Sequence, residues 1–119
     1  MNEKKVGRFY DVVWTEYIPE YEKSEEHWRL FYSPEEIKGK RVLDAGCGTG
    51  IFSIIFARNG AAEVIGLDIS PGSLNTARRL KDSFNLSHVH FQQADMLHLP
   101  FPDKSFDIVW AWGTVHHTI

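Results

Sequence analysis

The feature that most constrains this chain is a glycine-rich turn, VLDAGCGTG at residues 42–50, which continues an apolar run and leads into a helical stretch. Glycine is needed there because the chain bends sharply and because a ligand must approach bare backbone. The first turn of the helix then offers unpaired N–H groups to a negatively charged group of a ligand. The pattern predicts a strand, a turn and a helix that together bind a ligand; the alternative is a tight turn without one.

The spacing of the glycines distinguishes two classes of ligand. A dinucleotide site requires G-x-G-x-x-G, whereas this loop reads G-x-G-x-G and has Ile51 where the third glycine of that pattern belongs. Asp44 comes just before the loop, and its carboxylate would repel a pyrophosphate. The loop therefore favours a ligand with a cationic group, such as a sulfonium or an ammonium. A nicotinamide-dependent oxidoreductase is the weaker alternative.

Beyond Lys40 the chain alternates between short apolar runs and helical stretches. Strands are predicted at Arg41–Ala45, Glu63–Leu67, His88–Gln92 and Phe106–Ala111. Helices are predicted at Thr49–Asn59, followed by Gly60 as a left-handed C-terminal cap, and from Pro71 to about Phe84, with Ser70 as the N-cap. Such alternation implies parallel pairing of the strands with right-handed crossovers, and hence an α/β fold.

The first third of the chain differs from the rest because it is rich in aromatic residues. Helices are predicted at Gly7–Ile18, ended by Pro19, and at Ser24–Tyr32. Residues 33–36, with the sequence SPEE, then indicate a capping box with proline at the first helical position. The aromatic side chains are interpreted as core packing, with a lid over a ligand pocket as the alternative.

Acidic residues follow the second and third predicted strands as well as the first. Asp68 ends the second strand about 20 residues beyond the glycine loop, the spacing at which an acid binds ribose hydroxyls in nucleotide-binding α/β folds. Asp95 follows the third strand and is followed by Met96. A carboxylate there can accept a hydrogen bond from an adenine amino group while the thioether packs on the ring. Ligands of open α/β sheets bind beyond the carboxyl ends of the strands, so the pattern predicts one nucleoside site.

Four motifs together resemble a known family: VLDAGCGTG, VIGLDIS, QQADMLHLPFPDKSFDIVWA and GTVHHT. Residues 41–118 resemble the N-terminal part of a class I S-adenosylmethionine-dependent methyltransferase, in the type 11 small-molecule branch that includes quinone-biosynthesis enzymes. The resemblance implies a Rossmann-like, doubly wound parallel sheet, of which this chain holds the first four of seven strands. We therefore divide the chain into an N-terminal helical lid segment at residues 1–39, as the aromatic residues suggest, and a partial cofactor-binding domain at residues 40–119, as the resemblance implies.

The resemblance also implies a set of site residues for the cofactor S-adenosylmethionine. Those around its methionine portion are Asp44, Gly46, Cys47, Gly48 and Gly50; those at the ribose and adenine are Asp68, Ile69, Asp95 and Met96; those near the transferring methyl are Ala111 and Trp112. An acceptor atom would attack the methyl group in line. His116 and His117 are candidate general bases if the acceptor must lose a proton, and helix-start or packing histidines are the alternative.

Cys47, the single cysteine, lies at a predicted helix start, a position that can lower the pKa of a thiol. The alternative is that the turn only needs a small residue there. One cysteine cannot form an internal disulfide, which favours a reducing compartment. No spacing of His, Cys, Asp or Glu indicates a metal site, so none is predicted.

Charge and hydropathy exclude several classes of partner. The formal net charge is −3, which gives no basis for a nucleic-acid partner, since such proteins carry basic patches. No apolar run approaches the roughly 20 residues of a membrane span, and the N-terminus does not read as a signal peptide. The expected partner is a small-molecule methyl acceptor, and the expected location is the cytoplasm.

The predicted fourth strand is strongly apolar and would form an edge of the sheet, which favours pairing with a second copy as a homodimer. Because the sequence ends at Ile119, shortly after this strand, it is interpreted as a truncated chain, a gene fragment or half of an intertwined dimer. The alternative function is a cofactor-binding or assembly module without turnover.

Overall fold

The computed structural model describes residues 19–95, 97–99, 101–102 and 105–111. The elements in chain order are α1 (residues 19–28), α2 (Pro34–Ile37), β1 (Arg41–Ala45), α3 (Ile51–Arg58), β2 (Glu63–Asp68), α4 (Pro71–Ser83), β3 (Val89–Gln93) and β4 (Ile108–Trp110). The four strands form one parallel sheet in the order β3-β2-β1-β4. The predicted α/β fold with parallel pairing is therefore confirmed.

The register of the sheet aligns the strand ends that carry the candidate site. Asp44 in β1 lies opposite Gly66 in β2 and opposite Trp110 in β4. Gly66 in turn lies opposite Phe91 in β3. Because all four strands are parallel, their carboxyl ends meet at one edge, where the loops after β1, β2 and β3 come together.

The helices beside the glycine loop and after β2 form as predicted, with small shifts in their bounds. α3 begins at Ile51 rather than Thr49 because Gly50 has a φ of +85°, which is not helical. Gly60 has a φ of +100°, as expected of a residue just beyond a helix C-terminus. α4 has the predicted N-cap: the Ser70 hydroxyl accepts a hydrogen bond of 3.2 Å from the Ser73 N–H.

Strand β4 is shorter than the predicted Phe106–Ala111 because Asp107 interrupts regular pairing at its start. The Asp107 carboxylate accepts a 2.9 Å hydrogen bond from the backbone N–H of Arg41. The Phe106 ring packs edge-on against Phe101, with 5.1 Å between ring centroids. The Asp107 N–H also donates to the Arg41 carbonyl at 2.9 Å, so side-chain and backbone contacts together join the start of β4 to the start of β1.

The N-terminal segment departs most from prediction. The described helix α1 covers residues 19–28 and so includes Pro19, and it ends at Trp28 instead of spanning Ser24–Tyr32. It ends in a tight turn, where the Phe31 N–H donates to the Trp28 carbonyl at 2.9 Å. The helix predicted at Gly7–Ile18 lies outside the described residues. The capping interaction of α2 is present, since the Ser33 N–H donates to Glu36 Oε1 at 3.0 Å.

Helices α1, α3 and α4 pack on one face of the sheet. Trp28 of α1 is fully buried and lies edge-on to Phe56 of α3, with 5.6 Å between ring centroids. Trp110 of β4 lies 5.7 Å from the same ring, and Ile37 of α2 is also fully buried in this core. Among the described aromatic residues before β1, Tyr21 and Trp28 are buried in the core, as the packing interpretation expects, whereas Phe31 is exposed.

Candidate functional site

The glycine loop adopts a backbone that side chains disfavour. Gly48 has a φ of +56° and Gly50 a φ of +85°, and Gly46 shares a positive φ. Residues with a Cβ rarely occupy this region because the Cβ crowds the neighbouring carbonyl oxygen. The positive φ angles therefore explain why glycine occurs at alternate positions of the loop. The loop brings bare backbone to the carboxyl end of β1.

The loop after β1 is held to the end of β2 by two hydrogen bonds. The Cys47 N–H donates to the Leu67 carbonyl at 2.8 Å, and the Gly48 N–H donates to Asp68 Oδ2 at 2.9 Å. The other oxygen of Asp68 accepts from the Ser70 N–H at 2.9 Å. Asp68 is therefore fixed between the glycine loop and the start of α4 while it remains half-buried.

Asp44 is nearly inaccessible, with 2% of its surface exposed. Its carboxylate accepts a hydrogen bond of 2.7 Å from the hydroxyl of Ser53, which is fully buried in the first half of α3. Burial raises the pKa of Asp44 to about 7; the hydrogen bond from Ser53 opposes that rise and the negative charge of Asp68 adds to it. A buried carboxylate of this kind is stabilised in its ionised form by a cation.

The space below the loop is filled by the ring of Phe91. A Cβ at Gly50 would lie 2.8 Å from Phe91 Cζ, and a Cβ at Gly66 would lie 2.6 Å from Phe91 Cδ1 and 3.0 Å from Ser53 Oγ. Glycine at position 66 therefore leaves room for both neighbouring side chains. Ser53, Gly66 and Phe91 were not predicted as site residues; a glycine within an otherwise apolar strand is the one signal that marked this close approach.

Asp95 and Ile69 lie at the neighbouring strand ends. The Ala94 N–H donates to the Asp68 carbonyl at 3.1 Å, which places the start of the loop after β3 beside Asp68. Asp95 is exposed, and the hydrogen bond from the Leu97 N–H, with a smaller effect of His98, lowers the pKa of its carboxyl. Ile69 is 67% exposed, so its side chain is accessible to a ligand.

The remaining predicted residues are only partly described. Ala111 follows β4 and is half-buried, one residue beyond the Trp110 that lies opposite Asp44. Met96, Trp112, His116 and His117 lie outside the described residues.

Cys47 does not have the lowered thiol pKa that a helix start can produce. Burial raises the pKa of the thiol, and the nearby carboxylates of Asp44 and Asp68 raise it further. Burial and the two negative charges together outweigh the partial positive charge at the start of α3. The interpretation of Cys47 as a small residue required by the turn agrees with this environment.

Among residues 19–95, 97–99, 101–102 and 105–111, no group of three or more His, Cys, Asp or Glu side chains is placed to bind a metal ion. No helix in the described part of the chain has the length and apolar character needed to cross a membrane.

The arrangement fits a nucleoside that carries a positive charge. A Cβ built at Gly48 would meet no atom within 4 Å, so the loop faces open space next to Asp68. The carboxylates of Asp44 and Asp68 both lie close enough to the loop to act on the Cys47 thiol. The Asp68 oxygens each retain a lone pair beyond their backbone hydrogen bonds. The residues present therefore suit a group with hydroxyl donors and a cationic centre.

Relatives of known name share this region. Tocopherol O-methyltransferase, chloroplastic, from Arabidopsis thaliana is 42% identical over 84 residues, which are 70% of this chain and 24% of that protein. Demethylmenaquinone methyltransferase from Thermus thermophilus is 45% identical over 71 residues, 59% of this chain and 32% of that protein. The chain thus spans about a quarter to a third of the length of these curated relatives.

Solved structures and a family profile agree with these relatives. The PH0226 protein from Pyrococcus horikoshii OT3 superposes with a TM-score of 0.64 at 35% identity, over 79% of this chain and 42% of that one. An S-adenosylmethionine dependent methyltransferase from Mesorhizobium loti superposes with a TM-score of 0.57 at 34% identity, over 64% of this chain and 34% of that one. A profile described as a methyltransferase domain matches residues 42–119. The chain belongs to this methyltransferase-domain family.

Proposed function

We propose that this chain binds S-adenosylmethionine and acts in methyl transfer to a small molecule. The observation that carries the proposal is that the carboxylates of Asp44 and Asp68 both lie close to the glycine loop, with the Gly48 N–H donating to Asp68 at 2.9 Å. A carboxylate beside bare backbone suits a cationic nucleoside and would repel a pyrophosphate. The relatives are named as O-methyltransferases and methyltransferases of quinone and tocopherol metabolism, which supports a small-molecule acceptor.

Each predicted residue has a proposed part in binding. Asp68 accepts hydrogen bonds from ribose hydroxyls, Asp95 accepts from the adenine amino group, and Ile69 packs on the ring. The loop backbone and Asp44 face the methionine portion. When bound, the cofactor supplies a methyl group already activated by a sulfonium centre, so the protein mainly positions the two reactants.

We also propose that residues 1–39 cover the acceptor side of the site. The Phe31 ring is 54% exposed and lies edge-on to Trp110, with 5.6 Å between ring centroids. Trp110 lies opposite Asp44 in the sheet, so Phe31 lies next to the methionine end of the proposed site. His116 and His117 remain candidate bases for an acceptor that must lose a proton.

Calorimetric titration tests the proposal directly. S-adenosylmethionine and S-adenosylhomocysteine are expected to bind with one site per chain, and NADH is expected not to bind. Binding of NADH with no heat from either sulfur nucleoside would instead support an oxidoreductase. Transfer of a labelled methyl group to a panel of quinols, phenols and fatty acids then separates turnover from binding alone.

Two further proposals concern assembly and location. Within the described sheet β4 is an edge strand, and its Val109 side chain is 59% exposed, which supports pairing with a second copy. Light scattering is expected to give a dimer for the chain and a monomer for Val109→Lys; a monomer for both would contradict the pairing.

A cytoplasmic location is proposed because the single cysteine cannot form an internal disulfide, and cell fractionation tests this location.

A further inference from the structure

The site contains a buried serine that none of its sequence motifs assigns. Ser53 lies in α3, three residues beyond the last glycine of the loop, and has no exposed surface. Its hydroxyl donates to Asp44 Oδ2 at 2.7 Å, a distance typical of a strong hydrogen bond to a charged oxygen. A buried hydroxyl next to a buried carboxylate orients that carboxylate and supports its negative charge.

Gly66 in the neighbouring strand β2 leaves the space that the hydrogen bond between Ser53 and Asp44 needs. It lies opposite Asp44, and a Cβ at this position would come within 3.0 Å of Ser53 Oγ and 2.6 Å of the Phe91 ring. No conformational requirement explains the glycine, because its φ is not among the positive ones. Its lack of a side chain is explained by the space that Ser53 and Phe91 occupy.

We propose that Ser53 is a positioning residue of the cofactor site, which holds the Asp44 carboxylate oriented and ionised toward the cationic end of the bound nucleoside. The inference rests on the proposed function. It extends that function because a side chain of α3, Ser53, would control the ionisation of the Asp44 carboxylate at the methionine end of the site.

The effect of Ser53 should be measurable as a pH dependence of cofactor affinity, which the charged groups around Asp44 influence. Asp68 at the end of β2 is a second negative charge, and Cys47 in the loop stays a neutral thiol because its pKa is raised. β4 presents Trp110, which does not titrate, and α3 presents the Ser53 hydroxyl. Loss of that hydroxyl removes a group that favours the ionised carboxylate, so Asp44 should take up a proton at higher pH.

The experiment compares the wild type with Ser53→Ala and with Ser83→Ala as a matched control. Ser83 lies in α4, where its hydroxyl donates to the backbone carbonyl of Leu80 at 2.7 Å and not to a carboxylate. The Asp44 pKa is followed by carbon NMR of the carboxyl group without ligand, and S-adenosylmethionine affinity is followed by calorimetry across pH. If Ser53→Ala does not fold, Ser53→Cys keeps the size and weakens the donor.

Ser53→Ala is expected to raise the Asp44 pKa by about one unit, which would weaken binding about tenfold near pH 6 and by less than about twofold near pH 9. Ser83→Ala should match the wild type in both measurements. An unchanged pKa, or a loss of affinity equal at every pH, would overturn the positioning role while the proposed function stands. A wild type that binds neither sulfur nucleoside at any pH would overturn the proposed function and this inference with it.

Discussion

The backbone N–H of Gly48 donates a hydrogen bond of 2.9 Å to Oδ2 of Asp68, across 20 positions of sequence. The contact joins the loop after β1 to the end of β2 before any ligand binds. Asp68 thus has two functions in the proposed site: it holds the glycine loop in place and offers its remaining lone pairs to ribose hydroxyls. Both would be lost if its carboxylate were removed.

Replacement of Asp68 with alanine should therefore weaken cofactor binding by about 1–3 kcal/mol, as expected when two hydrogen bonds to a ligand are lost. Calorimetry with S-adenosylhomocysteine measures the change. Asp82→Ala removes a carboxylate from the exposed side of α4 and serves as the control. Equal affinity in Asp68→Ala and the control would refute the ribose assignment.

Gly66 and Gly72 offer a matched test of close packing below the loop. Gly66→Ala should destabilise the fold by about 1–3 kcal/mol, because the new Cβ lies 2.6 Å from Phe91 Cδ1. Gly72 lies in the first turn of α4, where the nearest atom to a new Cβ is 3.9 Å away, so Gly72→Ala should be neutral or stabilise by up to about 1 kcal/mol. Urea denaturation of both variants measures the difference, and a neutral Gly66→Ala would contradict the close approach of Phe91.

The sequence predicts the sheet well because each strand and helix from β1 onward has its own local signal. β1 is found at its predicted bounds, and α4 has the predicted N-cap at Ser70. The errors lie where tertiary contacts override local preference. β4 is shorter because the Asp107 carboxylate takes the Arg41 N–H, and α1 ends at Trp28, whose ring is fully buried against α3.

The candidate site likewise combines features that have a local sequence signal with features that depend on tertiary contacts. The positions of Asp44 and Asp68 at neighbouring strand ends could be predicted, because the strands and the glycine spacing have local signals in the sequence. The contacts of Ser53 and Phe91 could not be predicted, because they depend on how closely α3 and β3 approach the neighbouring strand. The environment of Cys47 could not be predicted from the local sequence either. Its position near a helix start favours a thiolate, but burial and two carboxylates raise the pKa of the thiol.

The raised pKa of Cys47 predicts an unreactive thiol. Only the thiolate reacts with disulfide reagents, and its fraction falls about tenfold for each unit by which the pKa exceeds the pH. Reaction with Ellman's reagent near pH 8 should therefore be at least about tenfold slower in the folded protein than in urea. The chain has one cysteine, so the signal belongs to Cys47 alone, and equal rates would contradict its buried environment.

The raised pKa of Asp44 predicts a specific pH dependence of stability. Its value of about 7 in the folded state exceeds the 3.8 of an exposed carboxyl, so between these values the folded state binds more protons than the unfolded state. The protonated carboxyl contributes its full stabilisation below the unfolded-state pKa. That contribution is lost as the pH rises through the folded-state pKa, at up to about 1.4 kcal/mol per pH unit.

The variant Asp44→Asn has no titrating group at this position, and the other acidic residues affect the stability of both proteins alike. The free energy of unfolding in urea should therefore shift in favour of the wild type relative to Asp44→Asn as the pH falls from about 7 to about 4. A constant difference across this range would show that Asp44 titrates as an exposed carboxylate does.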